Sequence, residues 1–306
     1  MQMRLQAGAF IFTMLIGAAV YDPNLMTHLA ATFGSDHRFI LAQTLRFPLY
    51  LTLGMALCSV AAVWGLDEVC PRTEPDGNCR SGAGVSALEA FRLTLNTGGW
   101  ILKTPFVLAV IVFGMMLDGI LRMVITLASQ YYRMVALPES VFGVLGALTA
   151  VAGIFIPRLA LRVAETRSPA FCLGSTAATA LAGLSGMAFF WPYLGLIPAL
   201  VAFSALYMVG FYVSYFVNRQ TASERRATVL SFKGVAYNLA YGLIGIGYAA
   251  VLEARKAGIG ALAASPQAVE NTVFRQTFIW FPAGLAIGLS LVAVAAVVFK
   301  LMSRNR

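Results

Sequence analysis

The chain has 306 residues, of which 59% are hydrophobic and 11% are charged, and its formal net charge is +9. Soluble domains have about 25% charged residues, so this composition excludes a soluble globular protein and predicts an all-α polytopic membrane protein. The basic residues lie singly at the ends of apolar segments and form no long cluster, which argues against a nucleic-acid partner and for a role in membrane orientation.

Two apolar segments precede the long polar stretch of the chain, and each predicts a transmembrane helix. The first covers about residues 7–29 and carries Asp22 directly before Pro23, and the second covers residues 47–64. Proline removes a backbone donor and kinks a helix, so the carbonyls that it frees can face a cavity. Asp22 is therefore a candidate intramembrane acid, although a position near the far end of its helix is the simpler explanation.

A polar segment at residues 66–104 separates these two spans from the rest of the chain. Its first part is rich in proline, glycine and charges of both signs, which is typical of a linker. Residues 86–97 instead place Ser86 and Glu89 at capping-box spacing among apolar residues, with Gly98 directly after. This pattern predicts a short amphipathic helix on the membrane face that ends at Gly98.

Residues 105–127 form an almost unbroken apolar segment that contains two charged residues, Asp118 and Arg122. About 20 apolar residues cross a bilayer core, so the segment predicts a transmembrane helix with Asp118 near its middle. An ionised side chain at that depth costs about 2.5 to 3.5 kcal/mol unless it has a partner, and an acid followed four residues later by a base is a favourable pair. Two hypotheses follow: a polar pathway with Asp118 as a proton or cation site and Arg122 as its counter-charge or an anion anchor, or an ion pair that only locks neighbouring helices together.

Further spans are predicted at about residues 141–161, 171–190 and 194–217. Glycines recur in the first two, which favours close helix packing. The third carries Tyr207, Phe211 and Tyr215 at a spacing of four residues, on one side of a helix. Such a stripe either lines a solute pocket or packs between helices, and packing is the commoner role of aromatic side chains at this spacing.

A basic loop leads into the next predicted span, at about residues 227–252, and a last span is predicted at about residues 278–301. Asn238 lies deep in the former, where it either pairs between helices or contacts a solute. Lys233 lies two turns from the loop and is expected to extend back towards it. The total is about eight transmembrane helices, and most Lys and Arg residues fall on the side of the two termini, which predicts that both termini are cytoplasmic.

The basic loop and the start of the following helix resemble a segment of the major facilitator superfamily. In many members the loop between helices ten and eleven follows the pattern N-x-x-x-x-x-x-x-R-A-T-x-L-S, which is matched here by Asn218, Arg226, Ala227, Thr228, Leu230 and Ser231. Residues 127–148 also resemble the superfamily's connection between helices seven and eight. The resemblance implies that Arg226, Thr228 and Ser231 belong to a conformational, or gating, loop.

The same resemblance divides the chain into three parts. Residues 1–65 correspond to helices five and six of the superfamily, residues 66–104 to the central cytoplasmic loop, and residues 105–306 to the six-helix C-terminal half. Counterparts of the first four helices are missing from the sequence, as is the signature loop between helices two and three. The expectation is therefore a truncated superfamily chain in a bacterial inner membrane.

The function expected from these features is secondary active transport of a small organic solute by alternating access, coupled to protons through Asp118. The alternative is a non-transporting remnant or accessory subunit that requires a partner chain. An enzyme is not expected, because His28 and His37 both lie near the first loop and no hydrolase, zinc-protease or Walker motif occurs. The four cysteines have no metal-ligand arrangement, so no cofactor or metal is expected.

Overall fold

The computed structural model describes residues 8, 12–17, 19–20, 23–34, 39–44, 46–64, 87–259 and 266–304. Every regular element in these ranges is a helix. In chain order the helices are α1 (Pro23–Thr32), α2 (Leu41–Thr44), α3 (Phe47–Trp64), α4 (Ala87–Lys103), α5 (Pro105–Thr126), α6 (Ala128–Met134), α7 (Phe142–Thr166), α8 (Pro169–Met187), α9 (Leu196–Gln220), α10 (Arg226–Ile259), α11 (Pro266–Phe278) and α12 (Trp280–Arg304).

Seven helical segments of the described residues are long and apolar enough to cross a membrane. They are α3, α5, α7, α8, α9, most of α10, and a segment over Gln267–Val294 that α11 and α12 form together. The chain is therefore an all-α integral membrane protein with several spans, as its composition predicts. The predicted span at residues 7–29 extends beyond the described residues, and its described parts are helical but short.

The predicted amphipathic helix is present as α4, but the prediction that it ends at Gly98 is wrong. The helix continues to Lys103, and a single residue, Thr104, separates it from Pro105 at the start of α5. Gly98 faces α10, where an added Cβ would lie 3.2 Å from the ring of Phe232. The glycine thus allows a close helix contact and does not terminate the helix, which explains why the capping rule failed here.

Helix α11 lies in a stretch where the sequence predicts no element, between the spans at residues 227–252 and 278–301. Four of its residues are buried, and their spacing places them on one helical face: Val273, Phe274, Thr277 and Phe278. Phe278 packs at ring-centroid distances of 5.3 Å from Phe190 and 5.7 Å from Tyr131. Polar residues on the opposite face lower the mean hydropathy of the segment, so a search for continuous apolar runs misses it.

The tightest helix contact described joins α8 and α9 through small residues. A Cβ added at Gly183 would lie 2.7 Å from the Ala202 Cα, and one added at Gly186 would lie 2.6 Å from the Pro198 Cβ. Such approaches require glycine, and in a membrane they provide the van der Waals contact on which helix association depends. Helix α9 also packs against α5 and α7, so it is central to the body formed by α5 and α7–α12.

Helix α3 differs from the other candidate spans because none of its residues is buried. Most of its large apolar side chains, including Leu49, Leu57 and Trp64, are more than half exposed. An apolar helix with this surface is suited to contact with lipid or with another protein, and not with water.

Candidate functional site

The two charged residues of α5 lie against α10, and the geometry of this helix pair determines the site. Gly114, Arg122 and Thr126 of α5 contact Tyr237, Asn238 and Tyr241 of α10, so the two helices run in the same direction. The α5 residues are spaced at multiples of four, which places them on one side of a helix. The polar side chains at this contact form what we call the α5–α10 polar cluster. Its members are Asp118, Arg122 and Thr126 of α5, Lys233, Tyr237, Asn238 and Tyr241 of α10, and Ser214 of the neighbouring helix α9.

The predicted ion pair between Asp118 and Arg122 is present within α5. Arg122 Nη2 donates a hydrogen bond of 2.5 Å to Asp118 Oδ2. The Asp118 side chain is 10% exposed and that of Arg122 is 35% exposed, so the carboxylate is inside the helix body while the guanidinium reaches its surface. The pair is therefore oriented: the Asp118 carboxylate faces the interior of the helix body and the Arg122 guanidinium faces its surface.

Asn238 and Tyr241 extend the pair onto α10. Arg122 Nη1 donates to Asn238 Oδ1 at 2.8 Å, and the guanidinium carbon lies 5.6 Å from the centre of the Tyr241 ring. The hydroxyls of Tyr241 and Thr126 are 3.0 Å apart and form a further bond between the helices. Asn238 thus pairs between helices, one of the two roles predicted for it, and it is also exposed.

Lys233 takes a different direction from the one that the sequence predicts. Its ammonium donates to Ser214 Oγ of α9 at 2.9 Å and lies 5.4 Å from the centre of the Tyr237 ring. Tyr237 lies one turn further along α10 than Lys233, so the side chain does not extend back to the basic loop. Lys233 also lies within electrostatic range of Asp118. The snorkelling prediction is therefore wrong, because Ser214 of α9 and the ring of Tyr237, one turn along α10, hold the ammonium away from the loop.

Gly114 makes room for a buried tyrosine hydroxyl next to the charged residues. An added Cβ at Gly114 would collide with Tyr237 Oη and would lie 2.9 Å from Val213 Cγ2. Tyr237 is 5% exposed, and its hydroxyl makes no hydrogen bond within the described part of the chain. The glycine one turn before Asp118 thus determines how closely α10 approaches the acid.

The aromatic stripe on α9 does not join this cluster. Phe211 and Tyr215 stack on each other at 5.8 Å and contact their neighbours Tyr212 and Phe216. Tyr207 instead lines a separate cavity of about 260 Å³ between α7 and α9, whose other lining residues are almost all apolar. No hydrogen bond or ring contact among the described residues connects the stripe to Asp118.

The residues assigned to the gating loop lie at the start of α10. Arg226 Nε donates to the Thr221 carbonyl at 3.3 Å, which ties the first residue of α10 to the end of α9. Thr228 is half-buried and Ser231 is exposed. The loop between the helices contains one short 3-10 turn, Ser223–Arg225. Asp22, the other candidate acid, lies outside the described residues.

Among the residues that the structure describes, no group of three or more His, Cys, Asp and Glu side chains is arranged to hold a metal ion. Comparisons with protein-family models, with curated proteins and with solved structures find no match to this chain. The resemblance to the major facilitator superfamily therefore rests on the loop motif and the order of helices alone.

Proposed function

We propose that the chain is a secondary active transporter of the major facilitator type that moves a small organic solute by alternating access. In this proposal Asp118 is the proton site, Arg122 and Asn238 line the solute pathway, and both termini face the cytoplasm of a bacterial cell. The proposal takes its topology from the order of the spans and from the Arg226, Thr228 and Ser231 motif.

The observation that carries the proposal is the exposure of polar side chains in the middle of membrane-spanning helices. Arg122 is four residues from the end of α5, but its guanidinium bonds Asp118, which is 13 residues from the start of the helix. The Arg122 guanidinium and Asn238, which is 12 residues from the start of α10, are thus about 20 and 18 Å into the helices at 1.5 Å per residue. Both reach the surface of the helix body at this depth. A charged or amide group there is too costly to leave in lipid, so this surface faces a water-filled cavity or other protein.

Proton coupling follows from the orientation of the ion pair. Ionised Asp118 holds Arg122 through a charge-assisted hydrogen bond, whereas protonated Asp118 has no charge to offer the guanidinium. Arg122 also bonds Asn238 on α10, so a change in the charge of Asp118 alters the contact between α5 and α10. Proton binding is in this way linked to the packing of two helices that a transport cycle would move.

The proposal is tested with the purified chain in liposomes, with a proton gradient directed inwards and a panel of labelled organic acids, alcohols and amines. We expect accumulation of at least one solute above the level in protein-free liposomes, and loss of the proton-driven part in Asp118→Asn. The matched control is Glu253→Gln, which changes an exposed carboxylate of α10 in the same way. Proton-driven accumulation that survives Asp118→Asn unchanged contradicts the role of Asp118.

A second candidate function is that of an accessory subunit, and the surface of α3 favours it. No residue of α3 is buried, so this helix offers its whole apolar surface to another chain or to lipid. A partner covering the α5–α10 polar cluster would also remove Arg122 and Asn238 from lipid. Transport by the purified chain alone contradicts this alternative, whereas co-purification of a second membrane protein in fixed ratio, with no transport by the chain alone, favours it.

A further inference from the structure

We propose that Arg122 and Lys233 bind the carboxylate of an organic anion, which makes a monoanionic carboxylic acid the substrate class. This inference rests on the proposed transport function for its physiological meaning, but binding itself can be measured without transport. It is carried by the charge of the α5–α10 polar cluster, by the number of its unused hydrogen-bond donors and by its position at an open surface.

The cluster has an excess of positive charge. Arg122 and Lys233 carry one positive charge each and Asp118 carries one negative charge when ionised, so within the described part of the chain one cation is left without an ionic partner. Lys233 has only the neutral Ser214 and the ring of Tyr237 as described partners, and no described carboxylate forms an ion pair with it. An unpaired ammonium in a membrane-spanning helix is unfavourable, and a monoanion would neutralise the cluster.

Hydrogen-bond donors also exceed acceptors in the cluster. A guanidinium has five N–H donors and an ammonium has three. Arg122 has described hydrogen bonds to two acceptors, Asp118 and Asn238, and Lys233 has one to Ser214. The remaining donors require acceptor oxygens, and a carboxylate supplies two in a plane that matches the guanidinium fork. An alcohol supplies a single uncharged acceptor oxygen and a protonated amine supplies none, so neither matches a carboxylate here.

The surroundings of the cluster are suited to an organic body attached to the carboxylate. The Tyr241 ring lies beside Arg122, with its centre 5.6 Å from the guanidinium carbon. A solute with one charged end and an apolar remainder would place its acid at Arg122 and Lys233 and its body against this ring. A single surplus charge favours such a monoanion over a phosphate, which carries up to two negative charges near neutral pH.

The test compares three probes that share one ring and differ in charge: benzoate, benzyl alcohol and benzylamine. Binding to the purified full chain in detergent is measured by isothermal titration and by the shift in its thermal unfolding midpoint. We expect benzoate to bind at least about tenfold more tightly than the other two, because only a carboxylate accepts charge-assisted hydrogen bonds from both cations. Inorganic phosphate is the fourth probe and is expected to bind more weakly than benzoate.

Variants assign the binding to the cluster. Lys233→Met and Arg122→Gln are expected to weaken benzoate binding about tenfold or more, whereas Lys233→Arg retains most of it because the charge is kept. Lys256→Met, which removes a lysine from the same helix beside the exposed Glu253, is the matched control and is expected to have no effect.

Three results overturn the inference: no binding of benzoate, equal binding of benzylamine, or benzoate binding that survives Lys233→Met. Failure of the anion site and failure of the proposed function are distinguishable. If liposomes accumulate only neutral or cationic solutes, transport stands and the anion site is wrong. If benzoate binds through Lys233 but no solute moves, the site stands and transport is wrong.

Discussion

The different burial of Asp118 and Arg122 predicts that replacing one residue of the ion pair lowers the free energy of unfolding more than replacing the other. Arg122→Gln leaves a carboxylate that is only 10% exposed without its cation, whereas Asp118→Asn leaves a guanidinium that is 35% exposed and keeps its bond to Asn238. Removal of one partner of a buried pair costs about 3 to 5 kcal/mol. Because Arg122 is 35% exposed, we expect a smaller cost, about 2 to 3 kcal/mol for Arg122→Gln, and about 1 kcal/mol for Asp118→Asn.

The measurement is reversible unfolding in mixed detergent and SDS micelles, followed by tryptophan fluorescence and helical circular dichroism. The double variant Asp118→Asn/Arg122→Gln removes both charges, so it is expected to be more stable than Arg122→Gln alone. A double variant that is more stable than Arg122→Gln indicates that the single variant suffers from an unpaired buried charge. If each substitution only removed packing contacts, the two losses of stability would add in the double variant. A destabilisation by Asp118→Asn equal to or larger than that by Arg122→Gln refutes the assigned orientation of the pair.

Three further variants test the packing around the cluster, each by the same unfolding measurement. Gly114→Ala is expected to cost about 1 to 3 kcal/mol, because its Cβ would collide with the Tyr237 hydroxyl, and a wild-type midpoint would contradict this packing. Tyr237→Phe alone is expected to be neutral or stabilising by up to about 1 kcal/mol, since the hydroxyl that it removes has no described partner, and a clear loss would reveal a partner. Gly183→Val is expected to be more damaging than Gly174→Val, because only the former meets the backbone of another helix, and equal effects would refute the α8–α9 contact.

Hydropathy alone predicts the spans of this chain well, and it fails where a helix is amphipathic. The predicted spans at residues 47–64 and 105–127 agree with α3 and α5 to within one residue. These segments are almost continuously apolar, so their length and composition are sufficient to identify them. Helix α11 has a buried face of Val273, Phe274 and Phe278 and a polar opposite face, and its apolar signal is visible only as a periodicity.

The local part of the candidate site is predictable from sequence, and the tertiary part is not. The bond between Asp118 and Arg122 follows from a spacing of four residues within one helix, and it is present in the structure. The partners of Lys233 depend on how α9 and α10 lie side by side, which no local pattern specifies. For the same reason the sequence does not reveal that Tyr207 lines one cavity while Asp118 belongs to another part of the helix body.

The roles of Gly98 and Gly114 also depend on tertiary contacts that the local sequence does not specify. Gly98 follows an apolar helical pattern and therefore predicts a helix end, whereas Gly114 lies within a predicted span, yet both glycines lie inside helices. Each is instead positioned opposite a ring of α10, Phe232 or Tyr237, where a Cβ would not fit. The identity of the residue across the interface decides which role a glycine has, and that residue lies more than 100 positions away in the sequence.

We propose that the α5–α10 polar cluster faces a water-filled pathway. The access of water to the cluster can be tested without knowledge of the solute. The four cysteines are replaced by serine, and Asn238→Cys is then labelled in sealed vesicles with a membrane-impermeant, charged thiol reagent. The control is Ile287→Cys, an exposed apolar position of α12 that is expected to face lipid. If the cluster faces water, we expect Asn238→Cys to react, Ile287→Cys not to react, and Asp118→Asn to change the rate of labelling. An unreactive Asn238→Cys in a folded protein would contradict the account, because the cluster would then face lipid or a partner chain.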